Sequence, residues 1–343
     1  VKIGICGRKF PRAAELGPEG LLRECADLGH DGVFFRTILE MSPTLDPGYL
    51  KHLREIADDK GLYLETGLGK VNPFNTSEEP TIREIGEGDY LLGLRRMAEA
   101  ARAAGMTELW ADTANYQRYD WGLHAIDRFR TDVTWSEQLE ATRRLLHRAA
   151  PMLRDLGCRI NLETHEEITT HELVALVEDV GPDVLGITMD LANVVVRGED
   201  PVAAARRVAP YTHQTHLRDL VLYFTPDGVE RQIRACGDGV IDLRAVLKEL
   251  DPRVNLTIEN TGSRDRNGIQ LFLPVWQRAH PDLPMADVLE LVRLTVESER
   301  LMRDGRIPDA DAYYAPPLGP DWEKAFIRRS ADHLTALLED STS

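Results

Sequence analysis

The sequence predicts an α/β protein built as a single (β/α)8 barrel of the TIM type, with loop insertions and a C-terminal helical extension. Short β-branched or apolar runs alternate with longer amphipathic stretches, and eight such pairs can be counted along the chain. No G-x-G-x-x-G or G-x-x-x-x-G-K-[ST] turn occurs, which favours a closed barrel over an open doubly wound sheet. A length of 343 residues leaves room for a barrel of roughly 250 residues plus insertions.

Element by element, the strand candidates are Lys2–Cys6, Gly32–Arg36, Leu62–Gly67, Glu108–Asp112, Arg159–Glu163, Gly186–Asp190, Thr212–Leu217 and Asn255–Glu259. Between and after them the spacing predicts helices over Glu19–Leu28, Pro47–Lys60, Tyr90–Ala104, Trp135–Leu156, His171–Val180, Pro201–Ala209, Leu243–Glu249 and Met285–Arg303. Asp46-Pro47 and Asp200-Pro201 read as helix starts, and Gly61, Gly105, Gly157 and Gly181 as stops. Three connections exceed ordinary barrel loops: Val71–Asp89, Thr113–Thr134 and Asn260–Pro284. All lie on the strand-to-helix side, where barrels build their sites, and they offer Trp121, His124, Phe272, Trp276 and His280 as lid or pocket groups; plain surface loops are the alternative. Residues 1–305 are expected to form the barrel. Residues 306–343, Pro- and Tyr-rich and then helical over Trp322–Leu338, form an extension packed on the barrel or on a neighbouring subunit.

Composition narrows the function. With 43% apolar and 29% charged residues the chain is neither disordered nor fibrous. Its 41 Lys and Arg against 57 Asp and Glu give a net charge of −16, which repels a phosphate backbone and argues against a nucleic-acid partner. Cys6, Cys25, Cys158 and Cys236 form no C-x-x-C pair and read as buried thiols in a reducing interior. No apolar run approaches the ~20 residues of a membrane span, and the N-terminus has no signal-peptide pattern, so the expectation is a soluble cytoplasmic protein without a membrane partner.

Four consecutive strand candidates end in metal-ligating groups: Glu163, Asp190, His216 and Glu259. On a barrel these ends point to one centre. Three crowded carboxylates repel unless one is protonated or a cation joins them, and a divalent ion resolves the conflict. Any one of the four reads equally well as a hydrogen-bonded strand terminus; the run of four favours a metal. Three oxygen donors and an imidazole suit one divalent ion, Mn2+ by preference, with Mg2+ and Co2+ alongside and Zn2+ compatible by ligand type.

The segments Leu162-Glu163-Thr164-His165, Met189-Asp190-Leu191-Ala192-Asn193, Thr215-His216-Leu217-Arg218-Asp219, Gly237-Asp238-Gly239-Val240-Ile241-Asp242 and Ile258-Glu259-Asn260 together resemble the xylose-isomerase-like barrels. That superfamily includes sugar and keto-sugar epimerases, hydroxypyruvate isomerases, inosose dehydratases and abasic-site endonucleases. The resemblance covers about residues 1–303 and is strongest over 159–260. It implies that Glu163, Asp190, His216 and Glu259 hold the metal and that Glu163 and Glu259 face each other across the substrate and exchange protons with it. A cation on a carbonyl oxygen and its neighbouring hydroxyl stabilises a developing enediolate, which makes the adjacent proton removable. One base on each face allows inversion of a centre; return of the proton to the neighbouring carbon gives an aldose–ketose isomer.

The chain departs from the epimerase pattern. Asn193 stands where those enzymes usually carry a His, and the basic residue after the metal His, Arg218, comes early; both are expected to bind substrate. His165 is not typical of epimerases and resembles the barrel subunits that cleave 3-keto sugars or keto-acids, such as C-glycoside deglycosidases, where it could be the base; a loop histidine capping the next helix is the plain alternative. Trp110 offers a face for a sugar ring, or simply core packing. Glu65, Asp112 and Lys70 are weaker pocket candidates. His213 is expected to face the helices, with Gln214 supporting the site from behind. Gly237-Asp238-Gly239 lacks convergent basic residues and is not read as a phosphate cradle.

The resulting expectation is a divalent-metal sugar or keto-sugar isomerase/epimerase. The alternative is a carbon–carbon or carbon–oxygen lyase on a 3-keto sugar with His165 as base. A repair phosphodiesterase is disfavoured by ten histidines, several on helices, and by the net charge of −16. A non-catalytic binding barrel is the further competitor. The partner is a small-molecule sugar or keto-sugar, in a homo-oligomer or a complex with a small second subunit.

Overall fold

The computed structural model describes residues 1–119, 122–125, 127–261, 267–281 and 283–342. Eight parallel strands form its centre: β1 Ile3–Cys6, β2 Gly32–Phe34, β3 Tyr63–Lys70, β4 Glu108–Asp112, β5 Arg159–Glu163, β6 Leu185–Asp190, β7 Thr212–His216 and β8 Leu256–Ile258. They are joined in the order β8-β1-β2-β3-β4-β5-β6-β7, and a parallel bridge between Leu217 and Ile258 brings the two ends together. The strands read as apolar runs because both faces are covered, by helices outside and by side chains of the opposite wall inside.

The helix punctuation follows the sequence. Asp46, Asp89 and Asp200 accept backbone N–H bonds at N-caps, and Thr134 and Thr169 make reciprocal capping boxes with Glu137 and Glu172. Gly61 and Gly157 close their helices in the left-handed region, at φ 72° and 59°.

Three features differ from expectation. β3 continues past Gly67 to Lys70 through a register shift against β4, at which Gly69 has φ +112°; this irregularity carries Lys70 to the barrel mouth. A hairpin, Asp219–Thr225 with Gly228–Arg234, was not anticipated between β7 and its helix. Its signal was present: the strand-forming run Leu220–Thr225 leads into a Pro226-Asp227 turn followed by Gly228. Asn267–Ile269 adds a third strand to this hairpin.

The third difference concerns the outer layer. Helix Met285–Arg303 packs on the strand Asp219–Thr225, where Ser298 Oγ accepts from Leu222 N at 2.9 Å. The helix that lies against β1 and β8 is Pro320–Thr342, which buries Phe326, Ile327 and Leu334. It is tied down by Lys324 to Glu24 at 2.5 Å, by Arg329 to Asp238 at 2.9 Å, and by Cys236 N donating to Ser330 Oγ at 3.0 Å. All four cysteines are buried and free, and no helix among the described residues is long and apolar enough to cross a membrane.

Candidate metal centre and active site

Side chains two apart on a strand share a face, so each residue at the barrel mouth stands above another in the interior. Glu163 stands above Asn161, Asp190 above Thr188, His216 above Gln214 and Glu259 above Thr257. The lower layer is polar and largely paired within itself, though the buried Asn161 Oδ1 has no partner among the described residues. Asn161 donates to Glu108 Oε2 at 2.9 Å, Thr188 to Gln214 Oε1 at 3.0 Å, and Gln214 to the Glu108 carbonyl at 3.1 Å. Asn255 donates to Glu65 Oε1 at 2.9 Å, and the Tyr63 and Thr257 hydroxyls are 2.9 Å apart. Buried networks of this kind fix the strands that carry the upper layer. Glu65 and Gln214 therefore belong to this floor and do not line the cavity above it.

In the upper layer the ligating atoms of Glu163, Asp190, His216 and Glu259 all lie within 4.8 Å of one another, and all four residues are buried. His216 Nδ1 is 3.2 Å from Glu163 Oε1, while its buried Nε2 has no partner. Three carboxylates and an imidazole at this spacing fit a divalent ion of the hard or borderline kind. Trp110 Nε1 donates to Glu163 Oε2 at 3.0 Å, fixing that carboxylate from the side.

Two cations attend Glu259: Lys9 Nζ at 2.6 Å from Oε1 and Arg218 Nη2 at 3.0 Å from Oε2. The same Arg218 nitrogen meets Asp190 Oδ2 at 2.5 Å and Asn193 Oδ1 at 3.2 Å. Burial opposes ionisation of Glu259, but Arg218 and then Lys9 hold its carboxyl well below the usual range. Glu163 is also lowered: burial works against it and the His216 ring overrides. Burial pushes Asp190 up to about 6 despite Arg218, because Glu259 and Glu163 are near. Glu163, His216, Glu259, Lys9 and Arg218 line, with Cys6, Phe34 and Trp110, a cavity of about 580 Å³, a size suited to a small polar metabolite, and Asp190 is fully buried behind them.

The remaining predicted residues separate clearly. His165 reaches the cavity, with Nδ1 2.7 Å from Glu167 Oε2 and Nε2 3.3 Å from the Tyr116 hydroxyl. The following helix is capped by Thr169, so His165 has no capping role. Burial alone lowers the His165 pKa, and Glu167 reverses this and lifts it to about 10. Asn193 lies behind the cavity wall, where its Oδ1 bridges Arg218 and Arg231. Asp112 and Lys70 line the cavity; Asp112 is 3.4 Å from Arg36, and Lys70 donates to the Ala114 carbonyl at 2.5 Å. Trp276 and His280 are not lid groups: they stack on each other at 4.1 Å, buried beside Phe129 and away from the cavity. Phe272 is exposed, and Trp121 and the His124 side chain lie outside the described residues. The Gly237 and Gly239 amides are taken by Asp219 Oδ2, both at 3.1 Å, so this loop indeed has no free cradle.

Sequence reasoning missed Lys9, Arg36, Arg231, Glu166 and Glu167. Lys9 and Arg36 had a usable signal, since both follow the C-terminal ends of strands, β1 and β2. Arg231 was missed together with the hairpin that carries it; there it pairs with Glu166 and donates to the Ala192 carbonyl at 2.7 Å.

The family profile described as xylose isomerase-like TIM barrel matches residues 22–260, and the chain belongs to that family. Two relatives are similar over different stretches of the chain. It is 31% identical over 97 residues to the uncharacterized protein YihM of Escherichia coli (strain K12), covering 28% of this chain and only 30% of that protein's length. It is 22% identical over 250 residues to 3-oxo-isoapionate decarboxylase of Pectobacterium atrosepticum, covering 71% of this chain and 78% of the relative. Solved structures share the fold. The 3-keto-D-glucoside 4-epimerase YcjR of E. coli aligns with a TM-score of 0.56 at 13% identity, covering 82% of this chain and 99% of that one. A xylose isomerase-like TIM barrel protein from Mycobacterium smegmatis in complex with magnesium aligns at 0.56 and 18%, covering 86% and 97%.

Proposed function

We propose that this protein is a divalent-metal enzyme that moves a proton next to the carbonyl of a sugar or keto-sugar, giving an epimer or isomer. The observation that carries this reading is the convergence of Glu163, Asp190, His216 and Glu259 within 4.8 Å at the mouth of the barrel. Mn2+ is the ion we propose for this donor set. When bound, the ion supplies Lewis-acid stabilisation of the negative charge that develops on a substrate oxygen. Glu163, oriented by the Trp110 indole, and Glu259, kept ionised by Arg218 and Lys9, are the two groups that take and return the proton. Trp110 and Phe34 form the apolar wall against which a sugar ring lies.

Incubation of the Mn2+-loaded protein with a panel of keto-sugars in D2O tests the proposal. Deuterium should enter the carbon next to the carbonyl together with formation of an isomer, and Glu163→Gln and Glu259→Gln should each lower the rate by roughly 10²-fold or more. Absence of exchange with every keto-sugar would overturn it.

A second reading is favoured by a separate observation, the His165–Glu167 pair facing the cavity beside Tyr116. In it an enolate either expels a substituent from the neighbouring carbon, whose departing atom takes the electron pair and is protonated, or is formed as CO2 leaves a β-keto acid and is then protonated on carbon, with His165 handling the proton, as the likeness to a decarboxylase supports. Release of CO2 or of an aglycone, abolished by His165→Asn while deuterium exchange persists, would establish this branch. Equal loss of both would remove it.

A further inference from the structure

We propose that the natural substrate is a sugar acid, with its carboxylate held by Arg8, Lys9 and Arg218. This rests on the metal-dependent reading above and adds the substrate class. Although the chain carries a net charge of −16, six cations line this one cavity: Arg8, Lys9, Arg36, Lys70, Arg218 and Arg231. Five carboxylates also line it, Glu79, Asp112, Glu163, Glu166 and Glu259; Arg36 lies 3.4 Å from Asp112 and 3.6 Å from Glu79, and Arg231 pairs with Glu166. The sector formed by β7, β8 and β1 is different. Lys9 and Arg218 both neutralise Glu259, and Arg218 also neutralises Asp190.

Glu259 and Asp190 are two of the four side chains that would hold the ion. Once their charge is shared with a dication, Lys9 and Arg218 are left with positive charge to place, and Arg218 is only 8% exposed. With Glu163, Asp190 and Glu259 set against a dication, Lys9 and Arg218, one positive charge is left in excess in a largely buried sector, which favours an anionic partner from the cavity. Arg8, in the turn after β1, is exposed and lines the same cavity; it makes no hydrogen bond or close ion pair with a described residue, and its charge acts on Glu40. A planar carboxylate matches a guanidinium and an ammonium well.

The test uses the Co2+-loaded full chain, whose visible absorption reports metal binding independently of activity. D-gluconate, neutral D-glucitol and D-glucitol 6-phosphate are titrated by calorimetry. Gluconate should bind at least about tenfold more tightly than glucitol, and the preference should shrink in Arg8→Ala and with added NaCl. Equal affinities, no gluconate binding at millimolar concentration, or tighter binding of the phosphate would each overturn the proposal. A protein that takes up no Co2+ would bring down the metal reading and this inference together. One that binds Co2+ but ignores charge would bring down this inference alone.

Discussion

Trp110 shows how a single side chain can serve both core and site: its ring is buried under the Arg36 guanidinium, 5.0 Å from the centroid, and its N–H holds Glu163. Trp110→Phe keeps most of the packing and deletes that hydrogen bond. Mn2+ affinity should fall about tenfold, measured by electron paramagnetic resonance titration, because groups that orient a ligand tune its metal; unchanged affinity would reduce Trp110 to a packing role. Glu65 makes a different point. Burial pushes its carboxyl up to about 7, against the ordinary 4.5, although Asn255 donates to it. The folded state therefore prefers the protonated form, and the associated stability is fully present below about 4.5 and lost as pH rises through about 7. Glu65→Gln should match the parent near pH 5 and exceed it by up to about 3 kcal/mol at pH 8 in urea unfolding. A constant difference across that range would contradict the assignment.

Among the elements, the hairpin after β7 does most to shape the site. Asp219 at its base accepts four backbone N–H bonds, from Leu220 at 2.8 Å, Ile241 at 3.0 Å, and Gly237 and Gly239 at 3.1 Å. It thereby ties the hairpin to the loop that leads into helix Leu243–Glu249. Asp219→Ala strands these donors, and the expected loss is about 3 kcal/mol or more, with faster hydrogen exchange at residues 237–241. Retained protection there would show that the loop is held by other contacts. The strand ends at 163, 190, 216 and 259 are legible in the sequence because each follows a short β-branched run whose period of two dictates direction. The hairpin's own contribution is less legible: Arg231 enters the cavity wall only after a turn at Pro226-Asp227 folds its strand back over Asn193.

For the whole molecule, the tail is part of the barrel's wall. Phe326, Ile327, Leu334 and Leu337 are buried between the last helix and the strands and helices beneath it. At roughly 1.5–3 kcal/mol for each large apolar side chain, their combined burial is comparable with the net stability of an ordinary domain. Deleting residues 320–343 should yield aggregated protein, or protein without near-ultraviolet circular dichroism. A truncated chain that unfolds cooperatively at the parental temperature would refute this. The buried thiols provide a companion measurement: Cys25, Cys158 and Cys236, none of which lines the cavity, should resist a thiol reagent until the chain is unfolded.

The sequence by itself determined the alternation of strands and helices, the caps that bound them, and the convergence of Glu163, Asp190, His216 and Glu259 at strand ends, because these depend on local periodicity and on a closed barrel aiming its strand ends inward. Only the tertiary structure decided which cations face Glu259, that Asn193 stands behind the wall, that Asp219 fills the Gly237–Gly239 loop, and which helix covers β1 and β8. Those pairings join groups far apart in the chain, and their energies come from burial and charge placement, which no local pattern encodes.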